Sequence, residues 1–374
     1  MKFKKPEAPA KSRRAFLKTG AAAAAAGTVA VAMPNVAPAQ DAQVWKFQST
    51  WPAKDIFHEY AADFVNRVNE MAGGKLKLDL LAAGSVAKAL EVQDALISGT
   101  LDGGHGVTAY WYGKHKAASL FGTPPAYGWR ANQMIGWMQY GGGQALYDEL
   151  VQQVLGLNLV GFLTGPMPTQ PLGWFKKKIE TPEDLAGLKY RTVGLSADLF
   201  KELGAAVTIM GGGEIVPAMD RGLLDAAEFN NPSSDKLLGF ADVSKDYMLQ
   251  SYHQAAECFE ISFNKTKFDA LPAELKSIIK YAAEASSSDM SWKAMDRYEK
   301  DLAELKSKGV NVHRTPDAVL QAQLAAWDKV IAAQSADPFF AKVVESQKAW
   351  AKRVVGLQFD MEVDQSMAFK HFFG

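Results

Sequence analysis

The sequence of 374 residues lacks most signatures of enzymes and of redox or metal centres. Its single cysteine, Cys258, excludes an internal disulfide, a CxxC pair and covalent haem attachment. Its six histidines have no spacing typical of metal ligands, and neither GxSxG nor HExxH occurs. The triglycine at 211–213 is not followed by the Lys-[Ser/Thr] of a phosphate loop. No catalytic constellation stands out, which argues against an enzyme.

The sequence also lacks a hydrophobic run long enough to span a membrane. Its N-terminal 39 residues combine seven basic residues and one acid with an alanine run and the string APA, which is typical of a cleaved signal peptide. Within them, Ser-Arg-Arg-x-Phe-Leu-Lys at 12–18 is typical of the twin-arginine export pathway. We therefore predict cleavage near Ala39 and a soluble periplasmic protein. An ordinary secretory signal with two chance arginines is the alternative.

Negative charge dominates once the signal peptide is set aside. The chain has 41 basic and 41 acidic residues, and removing the seven basic residues and the one acid of 1–39 leaves 34 and 40. The resulting net charge of about −6 argues against nucleic acid as a partner.

Alternating apolar and amphipathic segments predict an α/β fold. Residues 44–50 and 75–82 have the pattern of strands around a helix over 58–74, a β-α-β start that predicts a parallel sheet with helices on its faces. From Thr266 the pattern is helical almost to the end, and 271–309 is long enough to cross a whole domain.

The middle of the chain continues the alternation. Strands are predicted over 156–166, 170–175 and 189–194. A short capped helix is predicted over 181–188, and a helix over 196–205 begins with Ser196 as its N-cap.

Two segments of the sequence repeat each other without a gap. Residues 91–106 and 214–229 share Glu, Ala, Gly, Leu and Asp at five equivalent positions, and each has the pattern of a helix, a glycine stop and a strand. Coincidence is the alternative, since this pattern is common. A duplicated unit predicts two similar domains that face each other, with the ligand in the crevice outside the carboxyl ends of their strands.

Three polar residues near predicted strand ends are candidates for a binding site. Arg191 interrupts the strand at 189–194, where it could be a surface or ion-pair residue or a planar fork that grips a carboxylate. Gln170 and Glu228 lie near the ends of their own strands, and their oxygens suit a hard cation such as sodium or calcium.

Two long segments, GPMPTQPLGWFKKKIETPEDLAGLKYRTVGLSADLFKELGAAV (165–207) and PAMDRGLLDAAEFNNPSSD (217–235), resemble the extracytoplasmic solute-binding proteins of TRAP transporters. FQSTWP (47–52) and LEVQDALISGTLDGG (90–104) add to the resemblance, which covers nearly the whole chain after the signal peptide. The string from Glu180 to Arg191 is its most specific part, and the most similar branch binds 2-oxo acids and other monocarboxylates, often with a metal ion.

The resemblance implies a fold like that of periplasmic binding proteins: two α/β domains with mixed sheets, a ligand cleft between them and a long domain-spanning helix. We expect residues 40–164 to form mainly domain I, with a crossover near 160–170, and residues 165–260 to form mainly domain II. Residues 261–374 would be a helical segment that spans and covers both.

The resemblance also implies roles for individual residues. Arg191 would pair with the substrate carboxylate, and Gln170 and Glu228 would bind the metal, with the main-chain oxygen of Phe229 as a further ligand. The remaining implied residues would line the pocket or hydrogen-bond the ligand: Trp51, Tyr110, Asn230 and Asn231.

The sequence departs from that branch where a second acidic metal ligand is expected. His253 and Gln254 stand there, so Gln254 would supply an oxygen without a charge, and Glu257 would substitute if the alignment shifts. With Glu228 alone, a bound monoanion and Arg191 leave the site at −1, which favours a monovalent ion or weaker binding.

These inferences predict a subunit that captures a 2-oxo or 2-hydroxy monocarboxylate, with sodium or calcium and no organic cofactor, and delivers it to a TRAP membrane permease. A secreted enzyme acting on a small carboxylic acid is the alternative, and a sensing subunit without transport is a third. The C-terminal residues 359–374 are rich in Phe and Met, so this helix could cover a core or exchange between the subunits of a homodimer.

Overall fold

Two mixed β-sheets with helices around them make up the protein in a computed structural model, which describes residues 43–125 and 127–374. The predicted signal peptide and its cleavage near Ala39 lie outside the described residues. No helix in the described part is long and apolar enough to cross a bilayer.

The described residues form eleven strands, which are, in chain order, β1 (Gln43–Ser49), β2 (Leu76–Leu81), β3 (Gly103–Gly106), β4 (Leu159–Met167), β5 (Gly173–Phe175), β6 (Lys189–Arg191), β7 (Ala206–Thr208), β8 (Ala226–Ala227), β9 (Asp246–Leu249), β10 (Glu257–Asn264) and β11 (Asn311–Arg314).

Fourteen α-helices lie in the same residues, namely α1 (Ile56–Met71), α2 (Val92–Ile97), α3 (Ser119–Gly122), α4 (Ala131–Tyr140), α5 (Gly143–Glu149), α6 (Ser196–Glu202), α7 (Gly212–Asp220), α8 (Pro232–Leu238), α9 (Phe240–Val243), α10 (Lys265–Asp269), α11 (Ala273–Ser307), α12 (Asp317–Gln334), α13 (Pro338–Met361) and α14 (Gln365–Phe373). Shorter turns are 3₁₀ at Ala89–Glu91, Thr108–Trp111, Lys116–Ala118 and Pro182–Leu185, and π-helical at Leu150–Val154.

The first sheet has the strand order β2-β1-β3-β10-β4, and the second has the order β11-β9-β5-β8-β6-β7. Strand β1 pairs in parallel with β2 and β3, which confirms the predicted β-α-β start. Strand β10 runs antiparallel to β3 and β4, and β5 runs antiparallel to β8 and β9, so both sheets are mixed.

The chain passes between the sheets more than once. Strand β10 returns to the first sheet after β5 to β9 have built most of the second, and β11 returns to the second. The expectation that the chain is helical from Thr266 almost to its end is therefore wrong at β11, whose residues pair in parallel with β9.

The internal repeat is confirmed as two equivalent units. Helix α2 and strand β3 flank Gly99 at φ +76°, and helix α7 and strand β8 flank Gly222 at φ +71°. In each unit an aspartate binds the backbone of the parallel neighbour: Asp102 Oδ2 accepts from Lys46 N at 2.7 Å, and Asp225 Oδ2 accepts from Lys189 N at 3.1 Å. Each aspartate thus aligns the start of the following strand beside a parallel neighbour, β1 in the first sheet and β6 in the second.

Two local predictions differ from the structure. Ser196 is the first residue of α6 rather than its N-cap, because its hydroxyl donates to the main-chain oxygen of His253 at 2.9 Å. The strand predicted over 170–175 starts only at Gly173, whose φ of +124° suits a residue without a side chain.

The long helix α11, predicted over 271–309, contacts elements beside both sheets. Near its middle, Asp289 pairs with Arg67 of α1 at 2.7 Å, and further along Asp301 pairs with Lys236 of α8 at 2.6 Å. Helix α1 follows β1 of the first sheet and α8 follows β8 of the second, so one rigid helix braces both.

Close packing of β3 against the aromatic core of the first sheet generates a stability prediction. A Cβ at Gly103 would lie 2.7 Å from the rings of Phe47 and Phe263. We expect Gly103→Ala to lower the free energy of unfolding by about 1–3 kcal/mol, because these buried rings cannot move apart without leaving their packing. Urea denaturation followed by circular dichroism measures the change.

Gly356→Ala is the matched control. Gly356 lies within α13, and an added Cβ would meet no described atom within 4 Å. Since alanine favours helix over glycine, this variant should be as stable as wild type or more stable by up to about 1 kcal/mol. Equal stability of both variants would contradict the packing argument.

Candidate ligand- and cation-binding site

The candidate site lies where two adjacent parallel strands of the second sheet end. Arg191 is the last residue of β6, and Glu228 follows directly after β8. Arg191 stands in register with Ala227, and Glu228 N donates to Arg191 O at 3.3 Å. The carboxyl ends of parallel strands are the common ligand position in α/β sheets.

Arg191 and Glu228 form a buried ion pair. Their side chains are 1% and 0% exposed, and Arg191 Nη1 lies 3.0 Å from Glu228 Oε1. The same Nη1 donates to Glu228 O at 3.1 Å, while Nε and Nη2 donate to the main-chain oxygen of Met210 at 3.0 and 2.8 Å. Burial raises the pKa of Glu228 and the Arg191 charge opposes that rise. Each charge is therefore compensated chiefly by the other.

Gln170 touches the second oxygen of Glu228. Its side-chain Nε2 donates to Glu228 Oε2, and its main-chain N donates to Gln254 O at 3.0 Å. Gln170 is fully buried, yet its Oε1 has no hydrogen-bond partner among the described residues. A buried acceptor without a donor is costly, and a cation is one partner that would satisfy it.

Glu257, the first residue of β10, supplies a second carboxylate. It is 4% exposed, and burial together with the nearby Glu228 charge raises its pKa well above the usual range, while Arg191 opposes the rise. In the amide orientation that satisfies both contacts, the nitrogen of Asn230 lies 3.2 Å from Glu257 Oε2 and 3.3 Å from Phe229 O. One amide thus bridges the Glu257 carboxylate and the main-chain oxygen expected from Phe229.

The role of Gln254 as the uncharged ligand stays a prediction. Its main-chain oxygen supports Gln170, and its buried Nε2 has no partner among the described residues. The neighbouring His253 is also buried, where its Nδ1 lies 2.6 Å from Ser251 Oγ; burial and then the Arg191 charge lower its pKa to about 3, so it stays neutral. The carboxylate that the structure brings to Glu228 is Glu257, three residues further on.

Aromatic side chains approach the ion pair. Trp51, which precedes α1, is 1% exposed, and its ring centroid lies 5.9 Å from that of Tyr110. Burial raises the pKa of Tyr110, and the Arg191 charge opposes this rise. The Arg191 guanidinium lies 5.6 Å from the Phe229 ring centroid. Trp51 thus packs against Tyr110 and Arg191 against Phe229, and a shared pocket for these residues stays a prediction.

The two asparagines differ in their contacts. Asn231 caps α8, since its Oδ1 accepts from the main-chain nitrogens of Ser233 and Ser234 at 3.0 and 2.9 Å. The main-chain N of Asn230 donates to Asp235 Oδ1 at 3.3 Å, so a buried carboxylate holds the loop that carries it. Ligand contact by either asparagine stays a prediction.

Two buried carboxylates near the site escaped the sequence interpretation. Asp235 Oδ2 accepts from Trp174 Nε1 and from Tyr247 OH, each at 2.9 Å, and burial raises its pKa to about 7. Asp55 caps α1 and accepts from the hydroxyl of Ser234, 179 residues away on α8; burial raises its pKa to about 7 as well. Asp55 is recognisable in the sequence only as an N-cap, because its partner on the other sheet depends on the tertiary fold.

Among residues 43–125 and 127–374, no group of three or more His, Cys, Asp or Glu side chains is arranged to hold a metal ion. Any cation at this site would thus depend on neutral oxygens beside its two carboxylates. The candidate ligands are Gln170 Oε1 beside the Glu228 carboxylate, and Phe229 O and the Glu257 carboxylate, which share the Asn230 amide.

Comparisons with known proteins agree with the resemblance inferred from the sequence. A family model described as bacterial extracellular solute-binding protein, family 7, matches residues 47–337. A monocarboxylate 2-oxoacid-binding periplasmic protein of Nostoc is 30% identical over 332 residues, which cover 87% of each chain.

Solved structures of TRAP transporter solute-binding proteins share the fold. One from Bordetella bronchiseptica, with calcium and picolinate, has a TM-score of 0.83 at 25% identity and covers 88% of this chain and 97% of its own. One from Pseudoalteromonas atlantica, with sodium and pyruvate, has a TM-score of 0.81 at 29% identity, with coverage of 89% and 99%. The family model and the Nostoc relative both extend over most of the sequence, and the chain therefore belongs to the bacterial extracellular solute-binding proteins of family 7, the TRAP transporter solute-binding proteins.

Proposed function

We propose that this protein is the periplasmic subunit of a TRAP transporter that captures a small 2-oxo or 2-hydroxy monocarboxylate together with a cation and delivers it to a membrane permease. Export would follow the twin-arginine pathway with cleavage near Ala39. The observation that carries the proposal is the buried Arg191, whose guanidinium contacts the Glu228 carboxylate at the carboxyl end of the second sheet, while the buried Glu257 begins β10 of the first sheet. An arginine there matches a ligand carboxylate, and the acids match a cation.

The charges of the site favour a divalent cation. With a cation bound to hold Glu257 ionised against the burial that raises its pKa, Glu228, Glu257 and a bound monocarboxylate would carry three negative charges, and Arg191 would neutralise one of them. The remaining −2 balances Ca²⁺, a hard ion that prefers carboxylate, amide and main-chain oxygens. A relative from Colwellia psychrerythraea, 29% identical, holds calcium and pyruvate, which supports the same pair of ligands here. Sodium would replace calcium if Glu257 carries a proton.

Two domains, with the boundaries expected from the sequence, would close over the ligand. The site takes Trp51 and Tyr110 from the part of the chain that builds the first sheet and Arg191 from the second. The Asp55–Ser234 hydrogen bond joins the same two parts, so it would form on closure and stabilise the closed form. A cavity of about 720 Å³ is the entry route that we propose; its lining includes Thr169, which precedes Gln170 in the sequence, with Tyr252, Ala255 and Tyr298.

The C-terminal helix would join two copies of the chain. The side chains of its apolar residues are 65–76% exposed in one copy, a contiguous set that water disfavours: Met367, Phe369, Phe372 and Phe373. We propose that they pack against a second copy to form a homodimer.

Replacing Arg191 tests the carboxylate assignment. We expect Arg191→Ala to weaken pyruvate binding by about 2 kcal/mol or more, since a desolvated charge pair is lost. Isothermal titration calorimetry with pyruvate and Ca²⁺ measures the change, and Arg191→Lys, which keeps the charge but not the fork, should also bind weakly. Arg314→Ala, at an exposed arginine of β11, is the control and should bind like wild type. Wild-type affinity in folded Arg191 variants would refute the assignment.

The cation ligands are distinguished by a pair of substitutions. Glu257→Gln should lose most of the Ca²⁺ dependence of pyruvate binding, because it removes one of the two charges that balance the ion. Gln254→Ala should retain that dependence, since its contact with Gln170 is made by the main chain. Pyruvate titrations with Ca²⁺, with Na⁺ and with a chelator compare the two. The opposite ranking would support Gln254, rather than Glu257, as the ligand.

Substitution of the C-terminal apolar residues tests the dimer. A variant with Met367→Ser, Phe369→Ser, Phe372→Ser and Phe373→Ser should be a monomer by light scattering coupled to size exclusion, where the wild type is a dimer. Its pyruvate affinity should be unchanged, because these side chains are exposed in one copy. A monomeric wild type would refute this part of the proposal alone.

A further inference from the structure

Hydrogen bonds within the protein already use most of the N–H groups of the Arg191 guanidinium. Its Nε and one Nη2 hydrogen serve Met210 O, and Nη1 serves both Glu228 O and Glu228 Oε1. Since Met210 O occupies the side of the guanidinium formed by Nε and Nη2, a carboxylate that binds with two parallel bonds needs one hydrogen from each terminal nitrogen. The Nη1 hydrogen that such a ligand needs is therefore already given to the Glu228 carboxylate.

Glu228 is held on its other oxygen by an amide. Gln170 Nε2 donates to Glu228 Oε2, while Gln170 Oε1 has no partner among the described residues. A cation beside Glu228 would find the carboxylate and, after rotation of the Gln170 amide, the Gln170 oxygen. Glu228 then exchanges the Arg191 guanidinium for the cation as its positive partner.

The charge balance makes the two exchanges depend on each other. The Arg191–Glu228 pair is neutral and fully buried. A carboxylate ligand alone would displace Glu228 and leave a buried anion without a partner, and a cation alone would leave Arg191 without one. An uncompensated buried charge is strongly unfavourable, and this cost lowers the affinity for either ligand when it binds alone. When both ligands are bound, Arg191 pairs with the ligand carboxylate and Glu228 pairs with the cation, so two ion pairs replace one.

We propose that the Arg191–Glu228 ion pair couples the two ligands, so that the cation and the carboxylate bind as a linked pair and each raises the affinity for the other. The inference rests on the proposed function, and it assigns Glu228 a second role as the internal competitor of the ligand carboxylate. By linkage, the factor by which Ca²⁺ improves pyruvate binding equals the factor by which pyruvate improves Ca²⁺ binding.

The experiment uses the mature chain stripped of metal by a chelator, with pyruvate and Ca²⁺ as probes in calorimetry. For the wild type, we expect Ca²⁺ to tighten pyruvate binding by about tenfold or more. In Glu228→Gln the side chain keeps its size but loses its charge, so it releases Arg191 more readily. In chelator this variant should bind pyruvate about tenfold more tightly than the wild type does in chelator. Added Ca²⁺ should change its affinity little.

Glu257→Gln is the matched control. It removes a neighbouring negative charge but leaves the Arg191–Glu228 contact in place, so in chelator its gain in pyruvate affinity should be clearly smaller than that of Glu228→Gln. Thermal unfolding confirms that each variant is folded, and Glu228→Asp serves as the replacement if Glu228→Gln is not. The shorter Asp side chain keeps the charge but draws back from Arg191, so it should also gain affinity in chelator.

Several results would overturn the linkage. Equal gains in Glu228→Gln and Glu257→Gln would mean that general charge removal explains the effect. No gain in Glu228→Gln, or a wild type that binds pyruvate equally with and without Ca²⁺, would refute the coupling while the proposed function stands. A wild type that binds no monocarboxylate under any condition would refute the proposed function itself.

Discussion

The rest of the site depends on one buried ion pair between residues that end two adjacent parallel strands. Arg191 and Glu228 are brought together by the register of β6 and β8, in which Arg191 faces Ala227. Their desolvation is costly, and the contact repays it only with the additional hydrogen bonds to Met210 O and from Gln170. The loops after β4 and β7 are therefore held against the end of β8, because Gln170 and Met210 in these loops hydrogen-bond the two members of the ion pair.

The two units of the internal repeat have equivalent backbone contacts, but only the second has the buried ion pair. Gln48 of β1 pairs with Gly104 as Arg191 of β6 pairs with Ala227, and Gly104 and Ala227 are equivalent in the repeat. The Nε2 of Gln48 donates to Ala87 O at 2.7 Å, as Arg191 donates to Met210 O. His105 corresponds to Glu228, but it accepts from Trp51 Nε1 at 2.8 Å and burial lowers its pKa to about 3. The backbone contacts are thus common to both units, whereas the charges occur only in the second.

The sequence predicted the parts of this architecture that periodicity and local motifs encode. The β-α-β start, the long helix α11 and the repeated helix-glycine-strand unit all follow from short-range patterns. Register does not. A shift in the pairing of β10 with β4 falls between Glu257 and Phe259, and sequence spacing carries no sign of it, so spacing alone does not decide between Gln254 and Glu257 as the cation ligand. The Ser196 hydroxyl and the Asp55–Ser234 bond escaped prediction because their partners are distant in sequence.

The two units of the repeat also differ in the polar groups that they would present to a ligand. The first half offers uncharged groups: Gln48, satisfied by its own loop, and Trp51, held by the neutral His105 against Tyr110. The second half holds Arg191 and Glu228. A ligand enclosed by both would meet all the charge at one end and an aromatic surface at the other. Closure would exclude water and strengthen the electrostatic interactions at the charged end, because the local dielectric falls. On the proposed function, such a site would select a small molecule with one carboxylate over one with charges at both ends, since a second carboxylate would be buried against Trp51 and Tyr110 without a partner.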